Sequence, residues 1–257
     1  MIQGFRHGRL ITIALFLVTA SLSQARAGEL TLALANSTCK AMQKVEEAYR
    51  ASHPVEFTTI CKSSGLLAKG LLGDALKADL FISADHEWME FAVQHGLVDA
   101  SRVSSPWGNS LVVATPKNSP IQRLDWQGLA SDKVGVILIG DPSTAPFGRH
   151  AKEALEASGL WDRVKHKIQT RKNIELLAES LAASSPSTVG ILFKTNLTDQ
   201  LRPLHTVRKD LHKPIRYYMA PLKASAANLE ATPFLEFMQG KTVKDIFQAE
   251  GFDVSVP

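Results

Sequence analysis

The 257-residue chain is poor in cysteine, with two, and in tyrosine, with three. Neither cysteine belongs to a C-x-x-C pair, and the eight histidines form no H-E-x-x-H or similar ligand spacing. A zinc site is therefore not expected. An excess of charge is missing as well. The formal net charge of +4 owes three units to Arg6, Arg9 and Arg26. Without residues 1–27 the balance falls to +1, which excludes the dense basic surface that nucleic acid demands. There are no internal repeats, low-complexity tracts or long linkers. After the first thirty residues no apolar run is long enough to cross a membrane.

The N-terminus carries an export pattern. Arg6 and Arg9 precede an apolar run over 10–22, and Ala25-Arg26-Ala27 is an A-x-A-like cleavage site. We expect a signal peptide over 1–27, cut after Ala27, and a periplasmic product of 230 residues. No cysteine lies near the cut, so a lipid anchor is not expected. An even cysteine count in an exported chain favours a disulfide. Cys39 opens the first helix and Cys61 ends the second strand, and such elements are neighbours in a β-α-β unit. A Cys39–Cys61 bond is expected, against a free thiol pair lining a cleft or two buried unpaired thiols.

Strand and helix patterns then alternate. Residues 29–35, 54–61, 78–84, 109–116, 134–142, 188–193 and 214–222 read as strands. Helical spacing marks 39–53, 63–73, 87–96, 148–160, 173–184 and one or two helices over 232–252. In the first helix Met42, Val45, Ala48 and Tyr49 form a stripe, with Lys44, Glu46 and Glu47 off it. The order implies an α/β protein of two lobes, each a mostly parallel sheet flanked by helices. Lobe I is expected over 28–113 and 218–257, and lobe II over 114–217. Crossing strands at 111–116 and 214–221 would join them.

Ser37-Thr38-Cys39-Lys40 spells S-x-x-K, the nucleophile motif of penicillin-recognising serine enzymes. The other elements of that fold are only echoed, in Ser83-Ala84-Asp85 and Lys194-Thr195-Asn196. A serine acyl enzyme is thus a remote alternative. Gly240-Lys241-Thr242 echoes a phosphate-binding loop, but Leu235 stands where glycine is required. The quieter reading is that Ser37, Ser63 and Ser64 sit at helix entries as N-caps. With the turn around Pro146 and Gly148, three helix N-termini could face one cleft. Their free N–H groups and small hydroxyls suit a small oxyanion.

Several segments together resemble the periplasmic molybdate-binding proteins of ABC importers. They are "ALANSTCKAMQKVEEAY", "KADLFISADHEWMEFAVQHGLVD", "WGNSLVVATPKNS", "GDPSTAPFGRHAKEALEASGLWD" and "FLEFMQGKTVKDIFQAEGF". The likeness covers nearly all of the mature chain, in order. It implies a type II periplasmic binding protein that is a monomer and no enzyme, with no cofactor. Molybdate or tungstate would be its ligand and an ABC importer permease its partner. Ser37 and Ser64 match the ligand serines. Phe147 and Ile174 match positions that donate a backbone N–H. Phe193 matches a position that is usually Tyr, whose hydroxyl touches the oxyanion. Phe193 has no such donor, Asn196 stands where Asp is frequent, and Lys62 and the two cysteines flank the serines. A receptor of the same fold for a different small ligand or oxyanion, one that could feed a sensor, is therefore the alternative.

Overall fold

The computed structural model describes Met1 and residues 28–254. The expected signal peptide lies outside these residues. In chain order the strands and helices are β1 Gly28–Ala35, α1 Cys39–Arg50, β2 Val55–Lys62, α2 Ser64–Leu72, β3 Leu80–Ser83, α3 His86–Gln94, β4 Ser104–Gly108, β5 Leu111–Pro116, β6 Val136–Gly140, α4 Pro146–Ala157, α5 Trp161–Val164, β7 Ile168–Arg171, α6 Ile174–Ala182, β8 Thr188–Phe193, β9 Leu201–Thr206, β10 Arg216–Pro221, α7 Ala231–Met238 and α8 Lys241–Ala249.

Two five-stranded sheets result, with orders β2-β1-β3-β10-β4 and β7-β6-β8-β5-β9. In each, the first three strands run parallel and the last two add antiparallel pairings. The expected two-lobed α/β architecture stands: four strands of each sheet share one direction, and a single strand, β10 or β5, runs against them. The chain leaves the first lobe over Asn109 and Ser110 and returns over 207–215. The two expected crossing strands, 111–116 and 214–221, hold β5 and β10, and each of those lies within a single sheet. The passages themselves run side by side, with Asn109 N–H donating to Ile215 O at 3.2 Å.

Parallel β-α-β units place the starts of their helices on one edge of the sheet. That explains why α1, α2, α4 and α6 all begin beside the junction of the lobes. Their apolar faces are buried as helical spacing requires. Ala41, Met42, Val45 and Tyr49 of α1 are buried, and Tyr49 meets Phe234 and Phe237 edge-on at 5.1 Å. Glu46 departs from the expectation. It is buried, and its carboxylate accepts from the Thr59 hydroxyl at 2.6 Å and pairs with Arg50 at 3.5 Å. Among the described residues no helix is long and apolar enough to cross a membrane.

Cys39 and Cys61 are joined by a disulfide between the start of α1 and the end of β2. The bond closes a loop with a sequence separation of 22. In the chain-entropy model such a link stabilises by roughly 3 kcal/mol. Denaturant unfolding with and without reductant measures this. Oxidised protein is expected to unfold later and to show no titratable thiol when unfolded, and two titratable thiols would contradict the bond.

Candidate functional site

Among the clefts between the lobes is one small cavity at the helix entries. It is lined by Ser37, Ser64, Phe147, Ile174 and Phe193, all five of the site residues expected, together with Ser63, Asn36 and Asn173. No lysine, arginine, histidine or carboxylate lines it. About 10 Å³ is open to the centre of a water-sized sphere, on the scale of one ordered water. A small ion could enter only without its hydration shell. Its charge would then have to be met by neutral donors.

The serines are poised to supply them. Neither spends its hydroxyl on a helix cap. Ser37 lies in a 3-10 turn before α1, whose N-cap is Thr38, and Ser64 is the first residue of α2. The expectation that Ser37 and Ser64 are ordinary N-caps is thus corrected. Ser37 Oγ accepts from the Tyr217 hydroxyl at 3.0 Å. Ser64 Oγ accepts from Ala84 N–H at 3.0 Å. With a lone pair of each oxygen engaged by the protein, each hydroxyl proton is left to point elsewhere. Tyr217 is itself held by Asn109, whose Nδ2 donates to the tyrosine oxygen at 2.9 Å and to Thr195 Oγ1 at 2.8 Å. Burial pushes the Tyr217 hydroxyl far above the ordinary phenol range, so it keeps its proton and acts as a donor.

Two helix starts add backbone donors. Pro146 is the first residue of α4 and has no N–H, so Phe147 offers the first one. Gly148 and Arg149 N–H are already taken by Ala145 O. A Cβ on Gly148 would collide with the backbone of Gly140, which lets the helix start lie flat on the end of β6. In α6 the Asn173 side chain accepts from Leu176 N–H at 2.8 Å. Ile174, the first helical residue, keeps an N–H with no carbonyl one turn back. Phe193 is 1% exposed and packs edge-on between Phe147 and Tyr217, at 6.0 and 6.1 Å.

Contacts across the lobes close the site. Gly65 N–H donates to Thr144 O at 3.0 Å, and a Cβ there would meet the Trp88 ring at 2.6 Å. Arg149 of α4 pairs with Glu87 and approaches Asp85 Oδ2 to 3.1 Å, off the hydrogen-bonding direction. Lys213, on the return passage, reaches Glu87 at 2.9 Å. The S-x-x-K pairing is not assembled. Lys40 is largely exposed and its Nζ lies 3.0 Å from Glu250.

Sequence patterns do not reveal Tyr217, Asn109 or Thr195, because their chain of hydrogen bonds joins residues up to 180 positions apart. Nor do they reveal the Arg149 pairings. Ser63 is read from the sequence only as a helix-entry serine, and Asn36 stands beside expected Ser37, which is the signal that could have found it.

Two lobes that close on a cavity of neutral donors define a receptor for a small solute. The chain belongs to the bacterial extracellular solute-binding protein family, whose model matches residues 30–253. It is 29% identical over 249 residues to the molybdate-binding protein ModA of Escherichia coli, covering 94% of this chain and 95% of that one. The substrate-binding domain of a molybdenum ABC transporter from Clostridium difficile superposes with a TM-score of 0.69 at 26% identity, covering 90% of this chain and 100% of that one. The periplasmic molybdate-binding protein of Azotobacter vinelandii gives a TM-score of 0.78 at 18% identity, covering 89% and 99%.

Glu175 follows Ile174 on α6. Burial raises its carboxyl above the ordinary range, against hydrogen bonds from its own N–H and from Asn36. A carboxyl whose folded value is raised contributes stability below its unfolded value and loses it as pH rises through the folded one. Glu175→Gln is therefore expected to narrow the fall in melting temperature between mildly acidic and alkaline pH. Parallel melting curves of both proteins that keep a constant separation across that range would contradict this.

Proposed function

We propose that the protein captures a tetrahedral oxyanion, molybdate or tungstate, and delivers it to an ABC importer. The observation that carries this reading is the set of donors around one small cavity: two hydroxyls with an oxygen lone pair engaged, and two free helix-start N–H groups. Hydrogen bonds to a charged group contribute about 1.5–3 kcal/mol each, and helix starts favour negative charge further. A lining dominated by donors also disfavours a protonated oxyanion, whose O–H has only Asn36 Oδ1 as an unpaired side-chain carbonyl acceptor. That sets molybdate and tungstate apart from phosphate at neutral pH. Sulfate carries the same charge but is smaller, so a cage of fixed radius discriminates against it.

The relatives support the rest. Proteins named for molybdate binding match over nearly the whole chain. Export to the periplasm, a monomeric state and the absence of catalysis belong to the same reading, as does a permease that recognises the closed lobes. A cleft that opens about the two short passages would admit the anion and release it. The competing reading, a receptor for another small ligand, draws on Phe193, whose ring supplies no hydroxyl to the cavity.

Thermal melting with molybdate, tungstate, sulfate and phosphate separates these readings. A ligand at 100 times its Kd stabilises by about 2.7 kcal/mol. Large upward shifts are expected with molybdate and tungstate and little with sulfate or phosphate. Ser37→Ala should weaken molybdate by about 10–100-fold. It should also lower unliganded stability, because Tyr217 Oη loses its acceptor. No shift with any of the four anions would overturn the oxyanion reading.

A further inference from the structure

The cavity contains one hydroxyl that nothing in the protein uses. Ser63 is the N-cap residue of α2, yet its side chain caps no N–H. Leu66 and Leu67 N–H donate instead to its backbone carbonyl, at 3.0 and 3.1 Å. The residue is 4% exposed, and its Oγ is buried without any hydrogen-bond partner. A buried hydroxyl in that state is destabilising unless something pairs with it. Ser63 lines the same cavity as Ser37, Ser64 and Phe193. Its neighbour Ser64 differs, because Ala84 N–H already engages that oxygen.

The cavity also has a deficit. At 193 a phenylalanine ring faces the site where a tyrosine would bring a hydroxyl. Phe193 is held between two other rings and offers no polar atom. An unused donor and a ring without a donor thus border one small cavity.

We infer that the Ser63 hydroxyl is a further donor to the bound oxyanion and takes over the contact that Phe193 cannot make. This rests on the oxyanion reading above. It makes Ser63 a specificity-determining residue: the hydroxyl comes from the start of α2 in the first lobe, whereas a tyrosine at 193 would bring it from the end of β8 in the second. The first lobe then supplies three hydroxyls, and the second supplies backbone N–H groups.

The test is molybdate titration by calorimetry, together with melting of the ligand-free protein, on the mature chain and its variants. Ser63→Ala is expected to bind molybdate about 10–100-fold more weakly. Its ligand-free melting temperature should be equal or higher, because the deleted hydroxyl has no protein partner. Ser63→Gly keeps a residue tolerated at a helix start and should show the same loss of affinity. Adding Phe193→Tyr to Ser63→Ala should recover most of the binding. Wild-type affinity in Ser63→Ala would overturn the inference while leaving the oxyanion reading standing. A lower ligand-free melting temperature in both Ser63 variants would show a structural role and overturn it as well. Absence of molybdate binding by the wild-type protein would overturn both readings together.

Discussion

An ion moved out of water into a dry cavity must find there as many donors as it leaves behind. Moving a carboxylate-sized ion into a medium like dry protein costs on the order of 20 kcal/mol, and a dianion costs more. No single contact offsets that, so the donors have to be complete, fixed and already turned inward. Much of the architecture follows from this need. Parallel β-α-β units bring helix starts to one edge of each sheet, and facing the two edges toward each other gathers the starts in one place. The hydroxyls need a further device, since a serine can donate or accept. Tyr217 and Ala84 N–H occupy an acceptor position on Ser37 and Ser64, which biases both toward donating.

The same cavity cannot admit its ligand while closed, so the structure must also open. Among the described residues two short passages connect the lobes. The contacts that would break are Asn36 with Glu175 beside the cavity and, away from its lining, Gly65 with Thr144, and Arg149 and Lys213 with the carboxylates before and within α3. Exposed ion pairs contribute little, typically under about 1 kcal/mol. Arg149 and Asp85 are more buried, and burial raises the Asp85 carboxyl against the pull of Arg149. Closure therefore rests on modest contacts that an anion in the cavity can reinforce.

The alternation of strands and helices, the apolar stripe of α1 and the small-residue helix entries were legible in the residue pattern. The five residues expected at the site, through likeness to a known family, line one cavity, and their part in binding belongs to the proposal. Three strands escaped, β4, β7 and β9, and each lies at the edge of its sheet. Edge strands are half-exposed and tolerate proline, and Pro106 and Pro203 break the expected alternation in β4 and β9. Glu46 reads as a surface residue because its partner Thr59 comes from the next strand. Tyr217 reads as one more strand aromatic. Its role depends on Asn109 and Ser37, which only the return of β10 to the first sheet brings near. What pattern missed is what depends on tertiary contact.

The proposed capture depends on a dehydrated oxyanion sitting among the four helix entries, held by neutral groups and no cation. A crystal structure of the mature protein grown with molybdate, with anomalous data collected at the molybdenum absorption edge, tests it most directly. A single anomalous peak is expected in the cavity, with oxygens within hydrogen-bonding distance of Ser37 Oγ, Ser64 Oγ and the N–H groups of Phe147 and Ile174. A peak on the protein surface, or a cavity occupied by an organic ligand with no anomalous signal, would contradict it.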